Sequence, residues 1–256
     1  MIDLLLMLTA GTLIGGAAGY VGSLMVTHRM SLVGDALGHV ALPGIGLALL
    51  LNINISLGAM AFLLVGILLI WQLRAGTPLP HDTLVGIVFV TSLAIGFLVV
   101  PEPDLLESLI GDISKLTYGG FVIAVAVSVS VILLVRRIYP GMMLLNISED
   151  LAAVQGLSIA KYNFLYLLSI ALIVALGVRI TGTLLVGALV IIPPATARLV
   201  SHNLAQYAIR SAAIGAASCI TGTLVFRATA FPAGPAIILV NALLFSAVFA
   251  RGRLRS

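Results

Sequence analysis

The chain has 256 residues, of which 61% are hydrophobic and 9% charged. Soluble domains carry about a quarter charged residues, so this chain could not cover a water-facing surface, and no stretch is polar enough for a large soluble domain. The net charge of +4 comes from Lys and Arg scattered between apolar runs, without interleaved aromatics. That pattern excludes a nucleic-acid surface and reads instead as membrane topology.

A membrane-crossing helix needs about 20 mostly apolar residues. Apolar runs near 4–26, 32–51, 55–73, 83–101, 117–135, 162–178, 180–197, 206–226 and 235–250 predict eight or nine spans. The fold class expected is all-α, a polytopic transmembrane helical bundle forming one domain over 1–256. The first run has only Asp3 before it and no basic leader region, so it reads as a retained span. The fourth connection holds Glu102, Asp104, Glu107 and Asp112. The longest connection, near 141–161, contains Ser148-Glu149-Asp150-Leu151-Ala152-Ala153-Val154-Gln155-Gly156. It predicts a short helix with Ser148 as N-cap, acids in the first turn and Gly156 just past the end. Its bland reading is a surface loop helix. Its functional reading is a docking element whose small residues Ala152, Ala153 and Gly156 allow close approach. In the seventh run, Pro193-Pro194 predicts a broken or re-entrant element. Cys219, the one cysteine, excludes an internal disulfide and a Cys-rich metal site; it reads as a packing residue.

Basic residues assign the sides. Arg29, Arg74, Arg136, Arg137, Lys161, Arg198, Arg210, Arg251, Arg253 and Arg255 fall at one set of ends; Lys115, Arg179 and Arg227 fall at the other. Ten against three makes the first set cytoplasmic, with the N-terminus outside, the C-terminus inside and the acidic fourth connection outside.

Asp35 is the one carboxylate well inside an apolar run, where an acid costs about 2.5–3.5 kcal/mol on insertion scales. His39 follows at i+4, on the same helix face. Carboxylate and imidazole are borderline donors that suit zinc, manganese or iron. Two alternatives stand beside this one: Asp35 caps a helix or meets Arg29, and His39 is a satisfied packing histidine. Two donors make a weak site, so two copies about a two-fold axis would supply four. His28, His81 and His202 fall at cytoplasmic ends and read as solvated interfacial residues. Pro43-Gly44, directly after His39, predicts an unwound or bent helix. No HExxH, GxSxG or Walker A motif is present, which argues against an enzyme and places any ATP hydrolysis on another chain.

Five stretches resemble the zinc/manganese/iron permease family of ABC transporters: RMSLVGDALGHVALPGIGLALLL, HDTLVGIVFVTSLAIGF, SEDLAAVQGLS, GTLLVGALVIIPPATARLVS and FPAGPAIILV. The resemblance implies Asp35 and His39 as ligands of a transported metal, with no permanently bound cofactor. Gly38 stands where the family usually has Ser, and HDT stands where it has TED. The resemblance also implies a bundle related to vitamin B12 and siderophore importers, in the inner (plasma) membrane. It implies two permease subunits, two cytosolic ATPases and an extracytoplasmic metal-binding protein. The coupling segment would be Glu149, Asp150, Ala152, Ala153 and Gly156. Two other readings are a secondary transporter using Asp35 for protons and a permease for a metal chelate.

Overall fold

The computed structural model describes residues 2–101, 108–111, 113, 116–183, 186–229 and 231–253, and every regular element among them is helical. The elements are α1 (Ile2–Thr27), α2 (Ser31–Leu50), α3 (Ile55–Gly76), α4 (His81–Val99), α5 (Tyr118–Ile147), α6 (Glu149–Val154), α7 (Ile159–Thr181), α8 (Val186–Arg198), α9 (Leu204–Thr229) and α10 (Ala233–Arg253). Eight of these helices, all but α6 and α8, are long and apolar enough to cross a membrane. Inside hydrocarbon a chain must satisfy its own backbone, so continuous apolar runs become helices. Side chains mark where several begin: Asn54 accepts from the Ser56 N–H, Thr117 from Gly120, Ser148 from Leu151 and Ser158 from Lys161. Glu102, Asp104, Glu107, Asp112, Lys115 and Arg255 lie outside the described residues, as do the side chains of His81, Arg179 and Arg253.

Helix α1 runs through the middle of the bundle, against α5, α7, α8 and α9. Lipid supplies no hydrophobic force between helices, so close backbone contact has to hold them. Gly15, Gly19 and Gly22 line the contact face of α1. A Cβ on Gly15 would lie 2.5 Å from the Gly215 carbonyl oxygen, and side chains at Gly19 and Gly22 would overlap the carbonyls of Ser211 and Val190. Cys219 is fully buried in this seam, as a packing residue should be. Helix α2 is the most buried of the eight long helices, held by α3 and α4 on one side and α8 on another.

Residues 108–111 pack on the end of α7 and the start of α10: the Gly182 position meets the Leu109 carbonyl, and a Cβ on Gly234 would lie 2.8 Å from the Ile110 oxygen.

Three expectations need correction. The fifth span does not stop near residue 135. Helix α5 continues through Arg136, Arg137 and Pro140 to Ile147, 30 residues in all, or about 45 Å. Residues 141–147 of the expected coupling segment thus belong to this helix, and the rest of it holds α6 and the start of α7. Pro193 and Pro194 do not break the seventh run, because α8 is helical through both. The interruption comes earlier, where α7 ends at Thr181 and Gly182 turns at φ +78°. There the Thr183 N–H donates to the Ser108 carbonyl at 3.0 Å, so a tertiary contact fixes the break. The Val190 carbonyl, four residues before Pro194 and so without its N–H, is pressed against Gly22 of α1. Finally, α2 is not unwound at Pro43-Gly44 but is helical from Ser31 to Leu50.

Candidate metal-handling site

Helix α2 places Asp35 and His39 one turn apart on one face. Asp35 is half-buried and His39 only 7% exposed. The His39 ring meets Phe89 of α4 edge-on, with centroids 5.2 Å apart. Its Nδ1 is buried and has no hydrogen-bond partner. Buried polar atoms nearly always find partners, and an orphan costs about 1–3 kcal/mol. A satisfied packing histidine is therefore not what α2 holds. The alternatives for Asp35 fail as well. The α2 start has no side-chain cap, and the one ion pair among the described residues joins Arg74 to Glu149.

The neighbouring face is α8. A Cβ on Gly187 would lie 2.7 Å from both Cβ and Oδ1 of Asp35, so the carboxylate rests on the first turn of α8. A Cβ on Gly38 would lie 2.6 Å from Val186 Cγ1 and 2.7 Å from the Thr183 carbonyl oxygen. This close contact explains why glycine stands where the resemblance leads one to expect serine. Pro43 contributes something other than a break. It has no N–H to give the carbonyl four residues earlier, which is that of His39. Sequence reasoning missed this effect, although counting back four residues from Pro43 would have found it. The described residues contain no group of three or more His, Cys, Asp or Glu side chains, so among them this site offers two such donors, Asp35 and His39. A cavity of about 270 Å³ between α2, α3 and α4 is lined by Val40, Pro43, Phe62, Ile87, Val88 and Ile95 among others, with no charged side chain.

At the end of the bundle where the basic residues collect, α6 has the expected cap: the Ser148 hydroxyl accepts from the Leu151 N–H at 3.2 Å. Gly156 follows the helix at φ +76°, the left-handed conformation that favours glycine. Glu149, Asp150, Ala153 and Gly156 are exposed. Ala152 is fully buried and belongs to the core, so it anchors α6 and offers nothing to a partner. The exposed apolar residues there are Leu151 (52%) and Val154 (86%), which sequence reasoning passed over despite their i, i+3 spacing. Of the other histidines, His202 is exposed as expected. His28 is only partly solvated: it packs on Tyr166, rings 5.7 Å apart, with Nε2 buried and unpartnered.

Comparison with known proteins places these features. The profile of the ABC 3 transport family matches residues 3–252. The manganese import system permease protein ScaB of Streptococcus gordonii is 30% identical over 94% of this chain and 88% of its own length. The high-affinity zinc uptake system membrane protein ZnuB of Buchnera aphidicola is 31% identical over 92% and 93% respectively. The PsaBC structure from Streptococcus pneumoniae, solved with a Fab, superposes with TM-score 0.85 at 27% identity, covering 97% of this chain and 91% of that one. An inward-facing metal-chelate type transporter shares the fold at TM-score 0.78 and 19% identity, over 96% and 85%. A match across nearly every residue, on a bundle of eight long helices, shows that this chain belongs to the ABC 3 transport family.

Proposed function

We propose that the chain is the membrane-spanning permease subunit of an ATP-driven importer for a divalent transition metal: zinc, manganese or iron. The observation that carries this reading is the α2 site itself, where a half-buried carboxylate and a buried imidazole with an unpartnered Nδ1 sit one turn apart. The similarity to permeases named for manganese and for zinc supports the cargo class. Oxygen and nitrogen donors suit all three metals.

One chain supplies two donors, so two copies related by a two-fold axis bring Asp35 and His39 of each to a shared four-donor passage site. Such a site binds well enough to accept the ion and weakly enough to release it. The N-terminus faces outward and the C-terminus inward, following the basic residues. Helix α6, with Leu151 and Val154 exposed, docks a cytosolic ATPase, and an extracytoplasmic binding protein delivers the metal. A proton carrier built on Asp35 is not favoured, because the family match spans the whole bundle.

The test uses Asp35→Asn, which removes charge at constant shape, and His39→Ala, which removes the nitrogen donor. Each should lower manganese or zinc uptake under limiting metal by about tenfold or more, with protein level and ATPase association retained. Wild-type uptake in both variants would refute the reading.

A further inference from the structure

The last two turns of α3 touch the docking helix and the helix that follows it. On one flank, Arg74 Nη2 pairs with Glu149 Oε1 at 3.4 Å, at the first residue of α6. On the other, Trp71 Nε1 donates to the Ala160 carbonyl at 3.3 Å, at the start of α7. The Trp71 ring also meets Phe164 edge-on, with centroids 6.0 Å apart. Trp71 and Arg74 are three residues apart, so they project from one face of α3. Between Glu149 and Ala160 lie α6 and its glycine turn, and the side chains that reach across from α3 touch both ends of that segment.

The other end of α3 is bound tightly to α2. Gly44 of α2 and Gly58 of α3 face each other so closely that a side chain on either would overlap the other's carbonyl. One face further along, Val40 fills the notch left by Gly66, where a Cβ would lie 2.6 Å from Val40 Cγ1. The turn between the helices is short and bonded at both ends. The Ile53 N–H donates to the Ala48 carbonyl at 2.9 Å, and the Asn54 side chain caps α3 by accepting from Ser56. Backbone contact, a filled notch and a closed turn leave α2 and α3 little freedom to move apart, since packed helices shift as bodies rather than deform. Val40 directly follows His39, so the clamped stretch of α2 is the one that carries the metal-handling pair.

From these contacts we infer that α3 is the strut between the docking helix and the metal site, with Arg74 and Trp71 as its positioning residues. A displacement of α6 by a bound ATPase pulls on Glu149 and Ala160, moves α3, and with it the Asp35–His39 face of α2. This rests on the reading of α6 as the ATPase-docking helix. Arg74 and Glu149 are 35% and 58% exposed, and exposed pairs contribute little to stability. Removing the pair should therefore leave the fold and the ATPase in place while weakening the coupling between them.

The experiment uses the permease purified with its ATPase partner, reconstituted in proteoliposomes and supplied with manganese. The readout is metal transported per ATP hydrolysed. Arg74→Glu sets two acids against each other and should lower this ratio about tenfold, within the usual span of coupling between sites. Glu149→Arg in the same chain should restore it. Trp71→Phe keeps the ring but removes the N–H donor, and should lower the ratio by a smaller factor. ATPase co-purification should stay unchanged in Arg74→Glu and Trp71→Phe, and the ratio is compared on complexes that co-purify. An unchanged ratio in Arg74→Glu, or a loss that Glu149→Arg does not restore, would overturn the strut. Should substitutions at Leu151 and Val154 leave ATPase binding intact, the docking reading itself fails, and that outcome is separate from the ratio measured for Arg74.

Discussion

Helix α2 and helix α6 each display what their surroundings penalise. In α2 a carboxylate and an imidazole lie within the most buried of the long helices, and the imidazole Nδ1 has no partner. In α6 the reverse holds: Leu151 and Val154 stand out at the end of the bundle where the basic residues collect, on a helix of 6 residues. A polar group unpaired in apolar surroundings and apolar groups uncovered in water both cost free energy in the isolated chain. Both costs disappear when a partner arrives. On the function proposed above, the partner of α2 is an ion and that of α6 a protein surface.

The comparison can be broken most severely at α6. Leu151→Asp with Val154→Asp should cost about 2 kcal/mol or more of docking, roughly a 30-fold loss of ATPase association. Protein level should not change, because neither side chain belongs to the core. If association survives, the exposed pair is only a loop surface, and the symmetry between the two regions is lost.

At α2 the sharpest steric test is Gly187→Ala. The new Cβ would press on Asp35 at 2.7 Å, so either the carboxylate or α8 must shift. Overpacking of this kind costs about 1–3 kcal/mol, and uptake should fall about tenfold. Gly86→Ala, where a side chain would meet open space, is the control and should transport normally. Equal uptake in both would show that the position of Asp35 does not matter.

A smaller effect is expected at Gly156. Its φ of +76° costs a non-glycine residue roughly 1–2 kcal/mol, although a Cβ there meets no atom within 4 Å. Gly156→Ala should therefore loosen the end of α6 and reduce ATPase association a fewfold. Gly156→Asn, which tolerates this conformation better, should recover part of the loss.

The smallest effect concerns His28, just past the end of α1. Burial pushes its imidazole below the ordinary value, the Arg74 charge adds to this, and the Met142 carbonyl opposes it. The folded chain then takes up this proton at a lower pH than the unfolded chain, which does so near pH 6.5. Stability should fall as pH drops below about 6.5 and level off below the folded value. Melting temperatures across that window should show a slope that His28→Gln reduces.

Much of this was legible in the sequence, and the exceptions have physical causes. The spans follow from apolar run length, which needs no tertiary knowledge. Asp35 and His39 were legible because an acid within such a run has no cheap explanation and i, i+4 geometry is local. The end of α5 was not legible: Arg136, Arg137 and Pro140 look like an exit from the membrane, yet the helix simply continues beyond it. The break before α8 was misplaced at Pro193-Pro194 because its cause is distant, a turn at Gly182 held by residues 108–109. Ala152 looked available to a partner because composition reveals size and not direction. The grip of Trp71 and Arg74 on the segment around α6 joins positions 75 or more residues apart, which no local pattern encodes.

The central claim is that two copies of the Asp35–His39 pair share one ion. Manganese titration of the purified permease, followed by electron paramagnetic resonance, tests it most directly. One ion per two chains is expected, with nitrogen coupling in its spectrum, and both Asp35→Asn and His39→Ala should abolish it. One ion per chain, or binding that persists in His39→Ala with the nitrogen coupling intact, would contradict the account.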